Sequence, residues 1–286
     1  MAVTAPATGR RILLVDDDRG LRHVLSTLLT DVGHTLVSAA DGPEALAQLE
    51  QGGFDIVLLD LGLPGINGLE VLAHARALPN PPLVIVMTAD DTSATLLEAV
   101  RRQAYRYLRK PFAPNEVVSI IAGAMATAPH AALSIEVVSA RPEWLEVIAP
   151  CSLEMADRIQ SFVMHLEADL PEAIRESVAQ AFRELLTNAI EWGGKLDTTK
   201  TVRISCVRAR RMLLYRISDP GKGFDIDRLK HAAISNPDGD PLKHFAEREE
   251  KGIRPGGFGL AMTRSLVDEL IYNEARNEVI LIKYLD

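Results

Sequence analysis

The sequence has few cysteines, no signal-peptide pattern in its opening residues as we interpret them, and no apolar run long enough to cross a membrane. Its two cysteines, Cys151 and Cys206, cannot form a disulfide framework and lack metal-ligand spacing with any histidine. We expect both to be small buried apolar residues, and a reducing cytoplasm suits them. The opening segment 1–9 lacks the apolar core of a signal peptide, and the longest near-apolar stretch, Val117–Ala128, is too short to span a bilayer.

The sequence also lacks an excess of basic residues. Its 286 residues carry 31 Lys+Arg against 39 Asp+Glu, a formal charge of −8. The balance is 10 against 14 over residues 1–130 and 21 against 25 over residues 131–286, so neither half has the basic footprint expected of a nucleic-acid-binding protein. Apolar residues make up 47% of the chain, which is typical of folded proteins, and the length favours two domains.

Residues 10–127 have the pattern of an α/β domain, after a tail over 1–9 that we expect to be disordered. Five short apolar runs alternate with helical patterns, and the runs lack polar alternation, as expected of parallel strands covered by helices on both faces. We therefore predict a doubly wound, five-stranded parallel sheet. The predicted strands are Arg11–Val15, His34–Ser38, Phe54–Leu59, Leu83–Met87 and Tyr105–Leu108, and the predicted helices are Leu21–Val32, Pro43–Glu50, Leu69–Ala77, Thr92–Arg102 and Asn115–Ala126.

Residues 134–286 follow a different order, after a predicted linker over 128–133, and indicate a two-layer α+β domain. Its loop Asp225–Pro255 far exceeds the usual connection of about 4–6 residues, so we expect a lid, a binding loop or a disordered stretch. The predicted elements are a strand at Ser134–Ala140, helices near Ser152–Glu167 and Glu172–Trp192, strands near Val202–Arg208 and Met212–Ser218, a helix at Leu260–Leu270 and a strand at Glu278–Tyr284.

Acidic residues collect where the strands of the first domain end. Asp16 and Asp17 follow the first strand, and Asp60 ends the third. Ligands of open α/β sheets bind outside the carboxyl ends of the strands, and three converging carboxylates favour a divalent cation such as Mg²⁺. Lys110, after the fifth strand, supplies a compact cation for a carboxylate or a phosphoryl oxygen. Asp60 is a candidate phosphoryl acceptor, because a carboxylate can form an aspartyl phosphate.

These positions resemble the receiver domain of response regulators, which has a flavodoxin-like fold. The resemblance covers residues 10–127 and rests on Asp16-Asp17, Asp60-Leu61-Gly62-Leu63-Pro64 with Gly68, Thr88-Ala89 and Lys110-Pro111-Phe112. It implies that a cognate histidine kinase phosphorylates Asp60. It also implies that Asp17, Asp60 and the backbone carbonyl of Gly62 bind Mg²⁺, with Asp16 in the same acidic cluster.

The resemblance further assigns the residues around the phosphoryl group. Thr88 and Lys110 would contact it, and the bond between Lys110 and Pro111 would be cis. Tyr105 and Tyr107 alternate along one predicted strand, so one can face the surface while the other packs inward. Family spacing selects Tyr107 as the switch aromatic.

The predicted helix Glu172–Trp192 carries a polar face beside an apolar stripe. Glu184, Asn188 and Glu191 lie on neighbouring turns and can face one pocket. An amide oxygen can bind Mg²⁺, and a carboxylate can orient or deprotonate a nucleophile, although alone the pattern fits a solvated helix face better. The stripe comprises Ile174, Val178, Ala181, Leu185, Ala189 and Trp192.

Two glycine-rich segments follow this helix. Asp219-Pro220-Gly221-Lys222-Gly223 comes after a strand, where glycines allow close backbone approach and Asp219 can accept from an exocyclic amine. Gly256-Gly257-Phe258-Gly259-Leu260 opens the last predicted helix, and a glycine-rich turn at a helix N-terminus is suited to phosphate. Either segment alone is equally well explained as a turn.

Together, Glu184-x-x-x-Asn188, Asp219-x-Gly221-x-Gly223 and Gly257-x-Gly259-Leu260 resemble the ordered motifs of the GHKL ATPase superfamily over about residues 134–286. The resemblance implies a Bergerat ATP-binding fold. Asn188 would bind Mg²⁺, Asp219 would bind the adenine amino group, and Gly221, Gly223, Gly257 and Gly259 would surround base and phosphates. Lys251 and Arg254, near the end of the predicted lid, are candidate counter-charges for the phosphates, although a solvated charged loop explains them as well.

Within this superfamily the chain looks like the anti-sigma factor serine/threonine kinase branch. A histidine autokinase would need a two-helix hairpin with a phosphoacceptor histidine before the ATPase region, and chaperone or topoisomerase members need large extra domains. The resemblance implies Ser or Thr phosphorylation of an antagonist protein, with Glu184 as general base, or retention of a sigma factor. Two departures are Trp192, where such proteins often have His, and a lid longer than a minimal member needs.

The sequence therefore predicts a cytoplasmic response regulator in which phosphorylation of Asp60 controls an ATP-binding kinase output. Two alternatives stay open: a binding module that uses ATP only to order its lid and grip a partner, and an enzyme that hydrolyses ATP without transfer to protein. The expected partners are a cognate histidine kinase and an anti-sigma factor antagonist or sigma factor. We expect neither nucleic acid nor a membrane surface as partner, and a homodimer is left open.

Overall fold

The computed structural model describes residues 9–90, 92–126, 134–223 and 259–285. The chain divides into two compact units, unit 1 (Met1–Ala132) and unit 2 (Leu133–Asp286). The predicted linker and lid lie outside the described residues, as does all of the predicted tail except Gly9. Among the described helices, none combines the length and the apolar character that a membrane crossing requires.

Unit 1 is a five-stranded parallel sheet between helices, which confirms the predicted flavodoxin-like fold. The strand order is β2-β1-β3-β4-β5, and every neighbouring pair is parallel. Helix α1 packs with α5, whereas α2 packs with α3 and α3 with α4. The elements are β1 (Arg11–Val15), α1 (Arg19–Asp31), β2 (Thr35–Ala39), α2 (Gly42–Gln51), β3 (Ile56–Asp60), α3 (Gly68–Ala77), β4 (Leu83–Thr88), α4 (Ser93–Arg101), β5 (Arg106–Arg109) and α5 (Pro114–Ala126).

Burial of the central strands explains the apolar runs, and side-chain caps explain where several helices begin. Every residue of β3 and of β4 is buried, so these strands have no solvent face on which polar residues would alternate. Asp18 accepts hydrogen bonds from the N–H groups of Gly20 and Leu21 at the start of α1. Asp41 and Thr92 cap α2 and α4 in the same way, which satisfies N–H groups that have no partner within the helix.

Unit 2 is an antiparallel six-stranded sheet with a helical layer, as predicted for a two-layer α+β domain. The strand order is β10-β11-β9-β8-β7-β6. Helix α7 contacts β9 and β11, and α6 and α8 pack against α7. The elements are β6 (Glu136–Arg141), β7 (Trp144–Pro150), α6 (Leu153–Leu166), α7 (Glu172–Asn188), β8 (Thr201–Ala209), β9 (Met212–Ser218), α8 (Gly259–Leu266), β10 (Glu269–Tyr272) and β11 (Glu278–Tyr284).

Two strands of unit 2 were absent from the sequence prediction. Strand β7 forms a hairpin with β6 and buries Leu145, Val147 and Ala149 at alternate positions, a period of two that a short segment shows only weakly. Strand β10 overlaps the predicted helix Leu260–Leu270, which is wrong because the helix ends at Leu266. The residues after it pair with β11 instead, so tertiary pairing overrides the local pattern.

The predicted helix Glu172–Trp192 also changes character near its end. The α-helix stops at Asn188, and Ala189–Gly193 forms a π-helical turn, in which the N–H of Gly194 donates to the carbonyl of Ala189 at 2.8 Å. A π turn contains more residues than an α turn, so spacings of three and four residues no longer predict which side of the helix a residue lies on. Trp192 is 49% exposed, and its predicted place in the buried stripe is wrong.

A buried ionisable group lies between the end of α6 and the sheet. Glu167 is only 5% exposed, and its Oε1 accepts a hydrogen bond from the Tyr215 hydroxyl at 2.7 Å. Arg208 stands 4.0 Å from Oε2 of Glu167, but its guanidinium makes two hydrogen bonds of 2.7 Å to Asp169. Burial raises the pKa of Glu167 more than its partners lower it.

We predict that Glu167→Gln makes unit 2 more stable than wild type near pH 8 and leaves it close to wild type near pH 5. A carboxyl whose pKa is raised by folding contributes stability at acid pH, which is lost as the pH rises through the folded-state pKa. Glutamine carries no charge and keeps an oxygen for Tyr215. Urea unfolding followed by tryptophan fluorescence reports unit 2 alone, because both tryptophans, Trp144 and Trp192, lie there.

The matched control is Glu176→Gln, an exposed change on α7, which should leave the pH profile unaltered. A constant difference between wild type and Glu167→Gln at all pH values would contradict the prediction, because it would mean that burial leaves the ionisation of Glu167 unchanged.

Candidate functional site

Three carboxylates meet at the carboxyl edge of the parallel sheet in unit 1. The register pairs Val15 of β1 with Leu59 of β3, so the residues that follow them, Asp16 and Asp60, are neighbours. Asp16 is 0% exposed and Asp60 is 5% exposed, whereas Asp17 lies on the surface. One oxygen from each of the three lies within 4.8 Å of the others.

Lys110 is bound to two of these carboxylates. Its Nζ lies 2.5 Å from Oδ2 of Asp60 and 2.7 Å from Oδ2 of Asp16. Burial opposes the charge of Lys110, but hydrogen bonds to Asp16 and Asp60 outweigh it and raise the pKa of the lysine. Burial likewise raises the pKa of Asp16 despite the opposing effect of Lys110. The backbone places the lysine, since its N–H donates to the Thr88 carbonyl at 2.8 Å. The bond between Lys110 and Pro111 is cis.

The acidic edge opens into a depression of about 420 Å³ whose lining includes Asp17, Asp60, Gly62, Thr88 and Lys110. Asp60 points its second oxygen, Oδ1, at the N–H of Gly62 at 2.9 Å. The reacting groups named by the sequence analysis are therefore brought together at one solvent-accessible point.

The donor set fits Mg²⁺, because all three side chains offer carboxylate oxygens, which this ion prefers. Asp16 already forms an ion pair with Lys110 through Oδ2 and accepts, through Oδ1, a hydrogen bond from the N–H of Asp18 at 3.0 Å. Asp17 and Asp60 are therefore the better placed ligands, and Asp16 completes the cluster. Three carboxylates against one ammonium also leave a negative charge that a cation would balance.

A chain of hydrogen bonds connects Thr88 with Tyr107. The Thr88 hydroxyl accepts from the N–H of Asp90 at 3.1 Å, and the Tyr107 hydroxyl donates to the carbonyl of Asp90 at 2.6 Å. The carboxylate of Asp90 accepts from the Thr95 hydroxyl at 2.6 Å, which is the main reason that its pKa is lowered. The loop between β4 and α4 is thus tied to both residues.

The expectation that Tyr105 or Tyr107 would face the surface is wrong. Both tyrosines are buried, because helices cover this sheet on both faces, and Tyr105 precedes β5. Tyr105 packs in the apolar core.

The second group of site residues lies where α7 meets α8 in unit 2. Asn188 donates from Nδ2 to Oε1 of Glu184 at 3.0 Å, one turn earlier on α7. Gly259, the first residue of α8, packs so closely that a Cβ atom there would overlap the Glu184 carboxylate. The buried Thr263 hydroxyl donates to the Gly259 carbonyl at 2.8 Å, and Leu260 is half-buried. Two of the three motifs are therefore in contact.

The third motif, Asp219-x-Gly221-x-Gly223, places the Asp219 carboxylate against the backbone of two glycines, Gly193 and Gly221. Asp219 follows β9, and its Oδ1 accepts from the N–H of Gly221 at 2.7 Å. A Cβ atom at Gly193 would overlap the Asp219 carboxyl group, and one at Gly221 would lie 2.7 Å from Oδ1. Burial raises the pKa of Asp219 more than the Gly221 hydrogen bond lowers it. Gly223 has a positive φ of 77°, a conformation suited to glycine.

Sequence reasoning missed four residues that shape this site: Gly193, Gly194, Thr263 and Asn277. The adjacent Gly193 and Gly194, which follow the polar residues of α7, could have been identified from the sequence, whereas no local sequence pattern marks Thr263 or Asn277. Gly194 packs against the thiol of Cys151, and burial raises the pKa of that thiol to about 11. Cys151 and Cys206 are both buried, as expected. Gly257, Lys251 and Arg254 lie outside the described residues.

We predict that Lys110→Met lowers the local stability of unit 1 by about 3 kcal/mol in the absence of divalent cations, because it leaves Asp16 buried without its cation. Added Mg²⁺ should restore part of the loss. Hydrogen exchange of the amides in β1 and β3 measures the effect. Arg19→Met, an exposed change at the start of α1, is the control, and exchange as slow in Lys110→Met as in wild type would mean that the pair does not stabilise the edge.

Comparison with known proteins assigns both units. The response regulator receiver domain matches residues 12–122, and the histidine kinase-like ATPase domain matches residues 150–283. The DNA-binding response regulator MtrA of Mycolicibacterium paratuberculosis is 32% identical over 206 residues, which cover 70% of this chain and 88% of that protein. The sensory transduction protein RegX3 of Mycolicibacterium smegmatis is 38% identical over 110 residues, 38% of this chain and 48% of that protein.

A similar solved structure is the CheY-like response regulator receiver domain protein from Methanospirillum hungatei JF-1. It is 28% identical and superimposes with a TM-score of 0.41, over 42% of this chain and 95% of that one.

Proposed function

This chain belongs to the response regulators, and we propose that phosphorylation of Asp60 in its receiver domain controls an ATP-dependent serine/threonine protein kinase in its histidine kinase-like ATPase domain. The observation that carries the first half is the Asp60 carboxylate held 2.5 Å from Lys110 at the edge of an open depression. The second half is supported by the bond from Asn188 to Glu184 and by the close packing of Glu184 against Gly259, the glycine that opens α8.

In the receiver, the substrate of the proposed reaction is the phosphohistidine of a cognate histidine kinase. A carboxylate oxygen of Asp60 attacks phosphorus, the P–N bond breaks, and the imidazole leaves with the bonding electrons and takes up a proton. The product is an acyl phosphate on Asp60. Lys110 would pair with a phosphoryl oxygen, as it now pairs with Asp60, and the Thr88 hydroxyl lies in the same depression to contact another. Mg²⁺ bound by Asp17, Asp60 and the Gly62 carbonyl would neutralise charge during transfer.

Re-packing of Thr88 and Tyr107 is the proposed route by which the phosphoryl group changes the receiver surface. Both residues are bonded to Asp90 in the loop before α4. Rotation of the Thr88 side chain toward the phosphoryl group would break its bond from the Asp90 N–H, so a local charge change would be passed to a loop that Tyr107 also holds.

In the ATPase domain, each described residue has a separate task. The Asn188 amide gives its nitrogen to Glu184, which leaves its oxygen for the Mg²⁺ of the nucleotide. Asp219 would accept from the adenine amino group, and Glu184 would take the proton of a Ser or Thr hydroxyl on an anti-sigma factor antagonist. Gly221, Gly223, Gly257 and Gly259 would line base and phosphates, with Lys251 and Arg254 as counter-charges. Use of ATP places the proposed activity in the cytoplasm.

Two other functions of unit 2, DNA binding and ATP-dependent protein binding, are alternatives to kinase activity. MtrA is named a DNA-binding regulator, but the negative charge of this chain and the ATPase match over residues 150–283 favour a nucleotide-binding output. A protein-binding module that uses ATP only to grip a sigma factor or another partner would share the same pocket, and loss of phosphoryl transfer with retained binding identifies it.

We predict that Asp60→Asn abolishes labelling of the protein by radiolabelled acetyl phosphate, because the amide cannot form an acyl phosphate. Asp31→Asn, an exposed change at the end of α1, is the control and should label like wild type. Label retained on Asp60→Asn at the wild-type level would refute Asp60 as the acceptor.

We also predict that Glu184→Gln keeps ATP affinity but slows phosphoryl transfer by a factor on the order of 10² to 10⁴, because glutamine preserves the bond from Asn188 but is not a base. Purified protein is incubated with γ-labelled ATP and antagonist proteins from the same genome, with and without acetyl phosphate. Glu176→Gln on the same helix is the control.

The outcomes of this assay separate the alternatives. Transfer by Glu184→Gln at the wild-type rate would remove Glu184 as general base. ATP binding without any transfer by wild type would favour the binding module, and steady release of phosphate by the protein alone would favour simple hydrolysis.

A further inference from the structure

The turn between β10 and β11 is closed by its own side chains and has a defined shape. Asn273 Oδ1 accepts from the N–H groups of Asn277 at 3.1 Å and Glu278 at 3.2 Å. Asn273 also donates from Nδ2 to Oδ1 of Asn277 at 2.8 Å. These bonds hold the Asn277 side chain in one orientation, with its oxygen toward Asn273 and its nitrogen toward the other side.

Asn277 binds the loop formed by residues 219–223, here called the Asp219 loop, through its backbone carbonyl and its side-chain nitrogen. Its backbone carbonyl accepts from the N–H of Asp219 at 2.9 Å, and its Nδ2 donates to the carbonyl of Gly221 at 3.1 Å. The same turn lies directly against the far end of the loop, because a Cβ atom on Gly223 would overlap the Ala275 carbonyl. The loop is therefore supported at three residues by one rigid turn.

These contacts decide which oxygen of Asp219 is left for a ligand. Both backbone polar groups of Gly221 are hydrogen-bonded. Its N–H donates to Asp219 Oδ1 at 2.7 Å, and its carbonyl accepts from Asn277. Gly193 limits the position of the carboxyl group from the other side. Within the part of the chain that the structure describes, Oδ2 receives no hydrogen bond, so the fixed Oδ1 leaves Oδ2 as the acceptor.

We propose that Asn277 is a positioning residue for base recognition, which fixes the Gly221 turn so that Asp219 presents Oδ2 to the exocyclic amine of adenine. Asn277 does not touch the base and acts only through Asp219. The inference rests on the proposed nucleotide site in unit 2 and adds a determinant of its selectivity for adenine.

The test uses the full chain and isothermal titration with the magnesium complexes of ATP, GTP and purine riboside triphosphate, which lacks the exocyclic amine. Asn277→Ala should weaken ATP binding roughly tenfold, the equivalent of about one lost hydrogen bond. It should leave the affinities for GTP and purine riboside triphosphate unchanged, because neither offers the adenine amine to Oδ2. Glu274→Ala, an exposed change in the same turn, should not affect any of the three.

A second variant guards against simple misfolding. Asn277→Asp keeps the size and the backbone carbonyl, but sets an acceptor against the Gly221 carbonyl, and should lower the ATP-to-GTP affinity ratio at least as much. Tryptophan fluorescence checks that both variants are folded. Equal loss of affinity for all three nucleotides, or an unchanged ATP-to-GTP ratio in both variants, would overturn the inference alone. Failure of wild type to bind any of them would instead overturn the proposed nucleotide site and the inference with it.

Discussion

The contact of one ammonium with two carboxylates governs the chemistry of unit 1. Asp16 and Asp60 are brought together because they lie at the carboxyl ends of neighbouring parallel strands in register, and their burial would be unfavourable without Lys110 between them. The position of the lysine depends in turn on β5 and on its bond to the Thr88 carbonyl. Residues at the ends of β1, β3, β4 and β5 thus fix the balance between one ammonium and its carboxylates. Any charged group added to Asp60 must change that balance.

The candidate site of unit 2 depends on a different constraint, which is the presence of glycines, residues without a side chain, next to its two carboxylates. Glu184 and Asp219 each lie against a glycine that no larger residue could replace without displacing the carboxyl group. The π-helical turn after α7 brings Gly193 to Asp219, and α8 brings Gly259 to Glu184. Backbone therefore forms the walls of the site, and the two carboxylates are its main polar groups.

Unit 1 could be predicted closely from sequence because buried parallel strands leave continuous apolar runs, and because the polar residues of an α/β site follow those runs directly. The prediction was weaker in unit 2, where β7 and β10 belong to hairpins that carry little local signal. Trp192 was misplaced because a π turn cannot be read from three-and-four spacing. Asn277 is important through two hydrogen bonds to a loop distant in sequence, and no local pattern encodes such contacts.

The pairing of Lys110 has a consequence for chemical labelling. Lys110 is the sole lysine among the first 194 residues, and a fully protonated ammonium is a poor nucleophile. Amine-directed reagents therefore have a single side-chain target in the receiver, and its reactivity depends on how firmly the carboxylates hold the proton. The molecule thus carries a built-in reporter, since a mass shift on the one peptide that contains Lys110 would follow the electrostatic state of the phosphorylation centre without any introduced probe.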